Sequence, residues 1–264
     1  MLSGVIAAAL IYGGIVAFMY AYQGRLMYPG SGATETPEAV GLSGVEEVTI
    51  ETTDGLRLLA WWMPPEPGRT VVLFWHGNAG TLATRVHKFK AFGGRGYGML
   101  MMAYRGYSGN PGTPTQPVLV RDAVTATNWV RREAEGHPLI YYGESLGGAV
   151  AMQLATKVPP QAIVLEGTFD SAADLAQRRY PFLPAALLIR DRWDSMAIAD
   201  DSPAPVLMLH GDADRTVPIE HARRLFQRLP EPKRFVRIEG AAHVDLFDHG
   251  AEQPTFEWLG EHGL

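Results

Sequence analysis

Apolar runs of strand length alternate with segments of helical periodicity over most of the chain. Thr70-Val71-Val72-Leu73-Phe74-Trp75, Met99 to Tyr104, Leu139 to Tyr142, Ala162 to Leu165, Pro205 to Leu209 and Phe235 to Ile238 each read as a strand apolar on both faces. Between them, helical spacing predicts helices over about Leu82 to Phe92, Pro117 to Glu135, Gly148 to Ala155, Glu220 to Leu229 and Glu252 to Leu259. Ahead of this series, Glu46 to Thr53 and Leu56 to Met63 flank Asp54-Gly55, a hairpin signal. Strands alternating with helices imply an α/β domain whose mostly parallel sheet has helices on both faces.

The N-terminal pattern differs. Leu2 to Tyr22 carries no charged side chain, and at about 1.5 Å per residue it would span roughly 30 Å, a bilayer's hydrocarbon core. A cleaved signal peptide fits less well, because a basic leading region and a clean small-residue cleavage site are missing. A buried core helix is disfavoured by Gly4, Gly13 and Gly14. We therefore expect residues 1–24 to be a single-pass transmembrane anchor, 25–45 a Gly- and Pro-rich linker, and 46–264 the catalytic domain. With Arg25 the only basic residue nearby, the sequence does not orient the anchor.

In an open parallel sheet the ligand sits beyond the carboxyl ends of the strands, so the residues just after each strand carry the chemistry. After Leu139 to Tyr142 comes Gly143-Glu144-Ser145-Leu146-Gly147, then a small-residue helix. Glycines two residues either side of a serine, between a buried strand and a helix, form a nucleophile elbow. A serine needs a base within hydrogen-bond reach and a carboxylate to orient that base. Of eight histidines, His243 alone directly follows the last strand in a small-residue loop. His76 and His210 open strand-end turns, where a structural hydrogen bond is expected, and His221 falls within a helix. Asp212 and Asp214 compete for the acid: Asp214 lies deeper in its turn, whereas Asp212 suits binding of turn N–H groups. The oxyanion of a tetrahedral intermediate would be held by the backbone N–H groups of Leu146 and Asn78. Glu144 either disfavours anionic substrates or faces solvent.

Five stretches in matching order resemble the α/β-hydrolase superfamily: His76-Gly77-Asn78-Ala79-Gly80, Tyr104 to Gly112, Gly143 to Gly148, His210 to Pro218 and Gly240-Ala241-Ala242-His243. With an N-terminal apolar segment running into Gln23-Gly24-Arg25-Leu26-Met27-Tyr28-Pro29, they are similar to the Bem46-like group and its abhydrolase-domain 13 and 17 relatives. The resemblance implies eight strands with the second antiparallel, a Ser145, Asp214, His243 triad and no cofactor. Its depalmitoylating members carry a cysteine cluster, and this chain has no cysteine, so that activity does not transfer with the motifs. An insertion over about 170–201, containing Tyr180 to Ile189, stands where this fold carries a lid. Its apolar residues either line an acyl pocket or bury a short helix on the domain.

The 264-residue length suits one large domain, and a net charge of −5 without a basic run gives no reason to expect nucleic acid. The sequence thus points to a membrane-anchored serine hydrolase acting on carboxylic esters or thioesters of small-molecule or lipid-like acyl substrates. A serine peptidase with the same triad and a catalytically idle scaffold at the membrane remain the alternatives.

Overall fold

A computed structural model describes residues 1–264 of the chain. An N-terminal helix, α1 (Leu2–Met27), leads through an irregular segment to a hairpin of β1 (Glu46–Glu51) and β2 (Arg57–Met63). There follow β3 (Val71–Trp75), a 3₁₀ turn at Leu82–Arg85 running into α2 (Val86–Gly93), β4 (Gly98–Met102), α3 (Gln116–Glu133), β5 (Leu139–Glu144), α4 (Leu146–Ala155) and β6 (Ala162–Glu166). The remaining elements are α5 (Ala172–Arg179), α6 (Ala185–Leu188), a 3₁₀ turn at Met196–Asp201, β7 (Val206–Gly211), α7 (Ile219–Arg228), β8 (Lys233–Ile238) and α8 (Glu252–Glu261).

The strands form one eight-stranded sheet in the order β1-β2-β4-β3-β5-β6-β7-β8, with β2 antiparallel to both neighbours and every other pair from β4 onward parallel. Alternate residues of the central strands serve two separate cores, as a period of two requires. Leu73, Trp75 and Tyr141 pack on one face with Ala123 and Val130 of α3, Val150 of α4 and Leu225 of α7. Phe74, Ile140 and Tyr142 pack on the other with Phe89 and Phe92 of α2 and Trp258 of α8. Burial on both faces explains why these strands are apolar throughout.

Two expectations about the N-terminal region need correction. First, the helix expected over 1–24 runs on to Met27, and it meets the body: Val16, Met19, Gln23 and Met27 are half-buried. Second, 25–45 is not a free linker. Tyr28 is buried, and its hydroxyl accepts from the Trp193 indole N–H at 2.7 Å and donates to Asp191 at 2.8 Å. Further along, Ser31 Oγ accepts from the Ser108 N–H at 2.8 Å, and Thr34 Oγ1 from the Ala83 N–H at 3.2 Å. The Gly, Pro and Ser content that suggested a tether belongs instead to an irregular strap fixed by side-chain hydrogen bonds.

Candidate active site

The β5–α4 turn is built by exclusion of side chains. A Cβ on Gly147 would lie 1.8 Å from the Trp75 carbonyl oxygen, and one on Gly143 would lie 2.4 Å from that of Gly147. Strand and helix can approach this closely only with glycine at both positions. Ser145 between them has φ 53° and ψ −115°, a left-handed conformation that is unusual for a residue with a side chain and costs on the order of 1–3 kcal/mol. Its N–H donates to the Glu166 carbonyl at 2.8 Å, and its carbonyl accepts from the Gly148 N–H and the Thr168 hydroxyl, both at 2.9 Å.

Three distant loops converge here. Ser145 Oγ lies 2.9 Å from His243 Nε2, and His243 Nδ1 lies 2.7 Å from Asp214 Oδ2. The other Asp214 oxygen accepts the N–H groups of Thr216 at 2.8 Å and Val217 at 2.9 Å. Burial alone would raise the Asp214 carboxyl; hydrogen bonds from His210 and His243 outweigh it and hold the group well below the usual carboxylate range. Asp214 is therefore ionised at neutral pH. With Nδ1–H donated to that carboxylate, His243 Nε2 is left as an acceptor facing Ser145 Oγ. Asp212, the competing acid, accepts the Gly240 N–H at 2.8 Å and braces the His243 loop instead.

Leu146 is the first residue of α4, where a backbone N–H has no partner within the helix. The Asn78 N–H makes no hydrogen bond within the chain, while its side-chain amide donates to the Met27 carbonyl at 3.1 Å. Asn78, Ser145 and Leu146 line the same cavity. His76 is structural: it accepts the Tyr104 N–H at 3.1 Å on Nε2, its Nδ1 is 2.7 Å from the Gly77 carbonyl, and burial assisted by Arg85 pushes its pKa down to about 3.

The cavity has a volume of about 250 Å³, and 17 of its 22 lining residues are hydrophobic. Leu175, Leu183, Leu188 and Ile189 of the 170–201 insertion form one wall, so the insertion lines a pocket. A second wall comes from α1, through Val16, Met19, Tyr20 and Leu26. Arg179 is its only charged residue.

Known proteins share this architecture. Residues 66–193 match the family model described as serine aminopeptidase, S33. The chain is 38% identical over 242 residues to an uncharacterized protein of Mycobacterium tuberculosis, covering 90% of this chain and 86% of that one. It is 30% identical over 286 residues to the alpha/beta hydrolase domain-containing protein WAV2 of Arabidopsis thaliana, covering 93% and 91% of the two chains. The chain belongs to the α/β-hydrolase superfamily. An uncharacterized membrane protein of Saccharomyces cerevisiae is 31% identical over 259 residues, covering 92% of this chain and 89% of the other. Among solved structures, a Pyrococcus furiosus esterase superposes with a TM-score of 0.72 at 16% identity, over 89% of this chain and 98% of the esterase, which shows a shared fold.

Sequence reasoning missed a charged layer beneath the β5–α4 turn. Glu144 neither faces solvent nor presents a free charge: Arg85 Nη2 lies 2.5 Å from its Oε1, with both side chains at most 10% exposed. Burial works against the Glu144 charge, but Arg85 overcomes it and lowers the pKa. One strand over, in register with Glu144, Glu166 pairs with the buried Lys88 at 2.5 Å and accepts the Tyr142 hydroxyl. The only sequence signal was Arg85 and Lys88 three residues apart in a segment otherwise read as a helix. Their partners lie 59 and 78 residues away.

Proposed function

We propose that the protein is a membrane-anchored serine hydrolase that cleaves ester or thioester bonds of apolar acyl substrates. Ser145 Oγ attacks the acyl carbonyl as His243 Nε2 takes its proton, and Asp214 orients the imidazole and balances the imidazolium that forms. The N–H groups of Leu146 and Asn78 receive the oxyanion; removing one such donor in serine hydrolases costs about 10²–10³ in rate. Collapse of the intermediate passes the His243 proton to the leaving alcohol or thiol. Water, activated by the same imidazole, then releases the acid from the acyl-enzyme. The observation that carries this reading is the unbroken Ser145–His243–Asp214 hydrogen-bond chain opening into an apolar cavity. The anchor rests on α1, 26 residues long with a mean hydropathy of 2.1 over its most apolar window, and on the likeness to a yeast membrane protein.

The aminopeptidase description of the matching family favours a second reading, in which the same triad cleaves peptide amides. An aminopeptidase needs an anion to receive the substrate's free ammonium. The cavity lining holds no carboxylate, and Glu144, beside the nucleophile, is already paired with Arg85. We expect the full chain in detergent to hydrolyse p-nitrophenyl esters with a rate that rises with acyl length, and Ser145→Ala to abolish it. Turnover of aminoacyl p-nitroanilides in preference to esters would overturn the esterase reading in favour of the peptidase.

A further inference from the structure

The wall that α1 contributes to the cavity constrains where the substrate comes from. The helix is fastened to the insertion at points from Tyr12 to Gln23. The Tyr12 hydroxyl donates to the Phe182 carbonyl at 3.0 Å; Gln23 donates to the Leu188 carbonyl at 3.2 Å and accepts the Arg190 N–H at 2.7 Å. Tyr12 to Met27 covers roughly 22 Å of a helix about 39 Å long. If the uncharged stretch from Leu2 to Tyr22 fills a hydrocarbon core of roughly 30 Å, the insertion tip touching Tyr12 reaches into the membrane.

That tip is built for such a place. Apart from Met1 and α1, the exposed large hydrophobic residues of the whole chain are Phe182, Leu187 and Val244, and the first two stand on this insertion beside α1. Lipid also demands that backbone polar groups find partners within the protein. Around the tip, side chains supply them: besides Tyr12 and Gln23, Gln177 donates to the Leu183 carbonyl and accepts the Ala186 N–H, and Arg192 donates to the Ala186 carbonyl. Arg179, the one charged residue of the lining, is exposed and makes no hydrogen bond or ion pair within the chain, as suits a phosphate-bearing headgroup at the membrane surface.

We propose that α1 is the membrane-side wall of the acyl pocket as well as an anchor, and that one acyl chain of a bilayer phospholipid enters between α1 and the 170–201 insertion to reach Ser145. The proposal rests on the hydrolase reading for what the chain is delivered to, and its test does not depend on turnover. The full chain carrying Ser145→Ala is reconstituted in vesicles of equimolar phosphatidylcholine and phosphatidylglycerol doped with a phosphatidylcholine bearing a diazirine at the end of one acyl chain. After irradiation, labelled residues are mapped by mass spectrometry. Label is expected on pocket residues such as Met19, Leu183 and Leu188, as well as on Leu10 and Phe18 facing lipid. Filling the pocket from either wall, with Ala176→Trp or Met19→Trp, should lower labelling of Leu183 and Leu188 about tenfold, while Leu10 and Phe18 are labelled as before. The persistent outer label shows that each variant is still inserted, and two variants guard against misfolding of one. Label confined to the outward face of α1 would overturn the proposal. So would pocket labelling by a diazirine-bearing S-palmitoylated peptide but not by the lipid, which would favour an acylated protein. Absence of esterase activity in the wild-type chain would instead count against the function proposed above, whatever this labelling shows.

Discussion

Replacing Arg85 with Met tests the charged layer under the elbow, because it removes a cation while leaving its anion buried. Arg85 bonds both Glu144 oxygens, at 2.5 and 3.4 Å, and the Ala79 carbonyl at 2.7 Å. Its loss leaves Glu144, directly before Ser145, charged and without its counter-ion. Breaking a buried pair on one side costs about 3–5 kcal/mol. For a folded domain the size of residues 46–264, each kcal/mol shifts Tm by about 2–4 °C, so Arg85→Met should lower it by about 6–20 °C. Removing both charges, in Arg85→Met with Glu144→Gln, should recover much of that loss. The pH dependence gives a second handle. In the wild type the folded Glu144 pKa is depressed, so its contribution is complete above its unfolded value, near 4.3, and is lost as pH falls below that. In Arg85→Met burial dominates and raises the pKa, so the variant should gain stability relative to wild type as pH falls from neutral toward about 5. Differential scanning fluorimetry of the full chain in detergent across that range measures both. A variant with unchanged Tm, or one whose deficit grows on acidification, would refute the assignment of Arg85 as the counter-ion of Glu144.

Other substitutions probe other parts of the molecule. Asp214→Asn should lower kcat for a p-nitrophenyl ester by about 10⁴ with the fold retained by circular dichroism, because the amide no longer holds His243 in the right tautomer. Since the folded Asp214 carboxyl lies below its unfolded value, the same variant should also lose less stability than wild type as pH drops below about 4. Tyr28→Phe strips a partner from both the Trp193 indole and Asp191, and a buried unsatisfied group costs about 1–3 kcal/mol, so Tm should fall by about 2–12 °C; no change would mean that the 25–45 strap is only resting on the domain. Gly147→Ala forces a methyl group into the Trp75 carbonyl and should abolish folded, probe-reactive protein, as read by expression and thermal melting.

The parts of this molecule legible in its sequence are those encoded locally. Leu139 to Tyr142 running into Gly143-Glu144-Ser145-Leu146-Gly147 specifies a strand, a strained turn and a helix within one short window. Strands buried on both faces betray themselves by unbroken apolar runs, which is why the sheet and its covering helices could be traced. His243 and Asp214 were reachable because residues at the carboxyl ends of parallel strands gather at one edge whatever their separation in sequence. What stayed hidden depends on packing between distant segments. Arg85 with Glu144, and Lys88 with Glu166, become pairs only once β5 and β6 are in register and α2 crosses beside them. An α1 apolar around most of its circumference carries no periodic mark of the stripe at Val16, Met19, Gln23 and Met27 that meets the domain, so its hydropathy predicted a membrane segment and not a pocket wall. The strap after it looked like a tether because Gly, Pro and Ser mark irregular backbone without saying whether that backbone is tied down.

Whether Ser145 is a nucleophile activated by His243 and Asp214 is decided by the site of covalent capture. The full wild-type chain in detergent is treated with a fluorophosphonate probe, and the modified peptide is identified by mass spectrometry. A single phosphonylated residue, Ser145, is expected, with labelling lost in Ser145→Ala and slowed by orders of magnitude in folded His243→Ala. Capture at another serine, or no capture of folded wild-type protein, would contradict the triad.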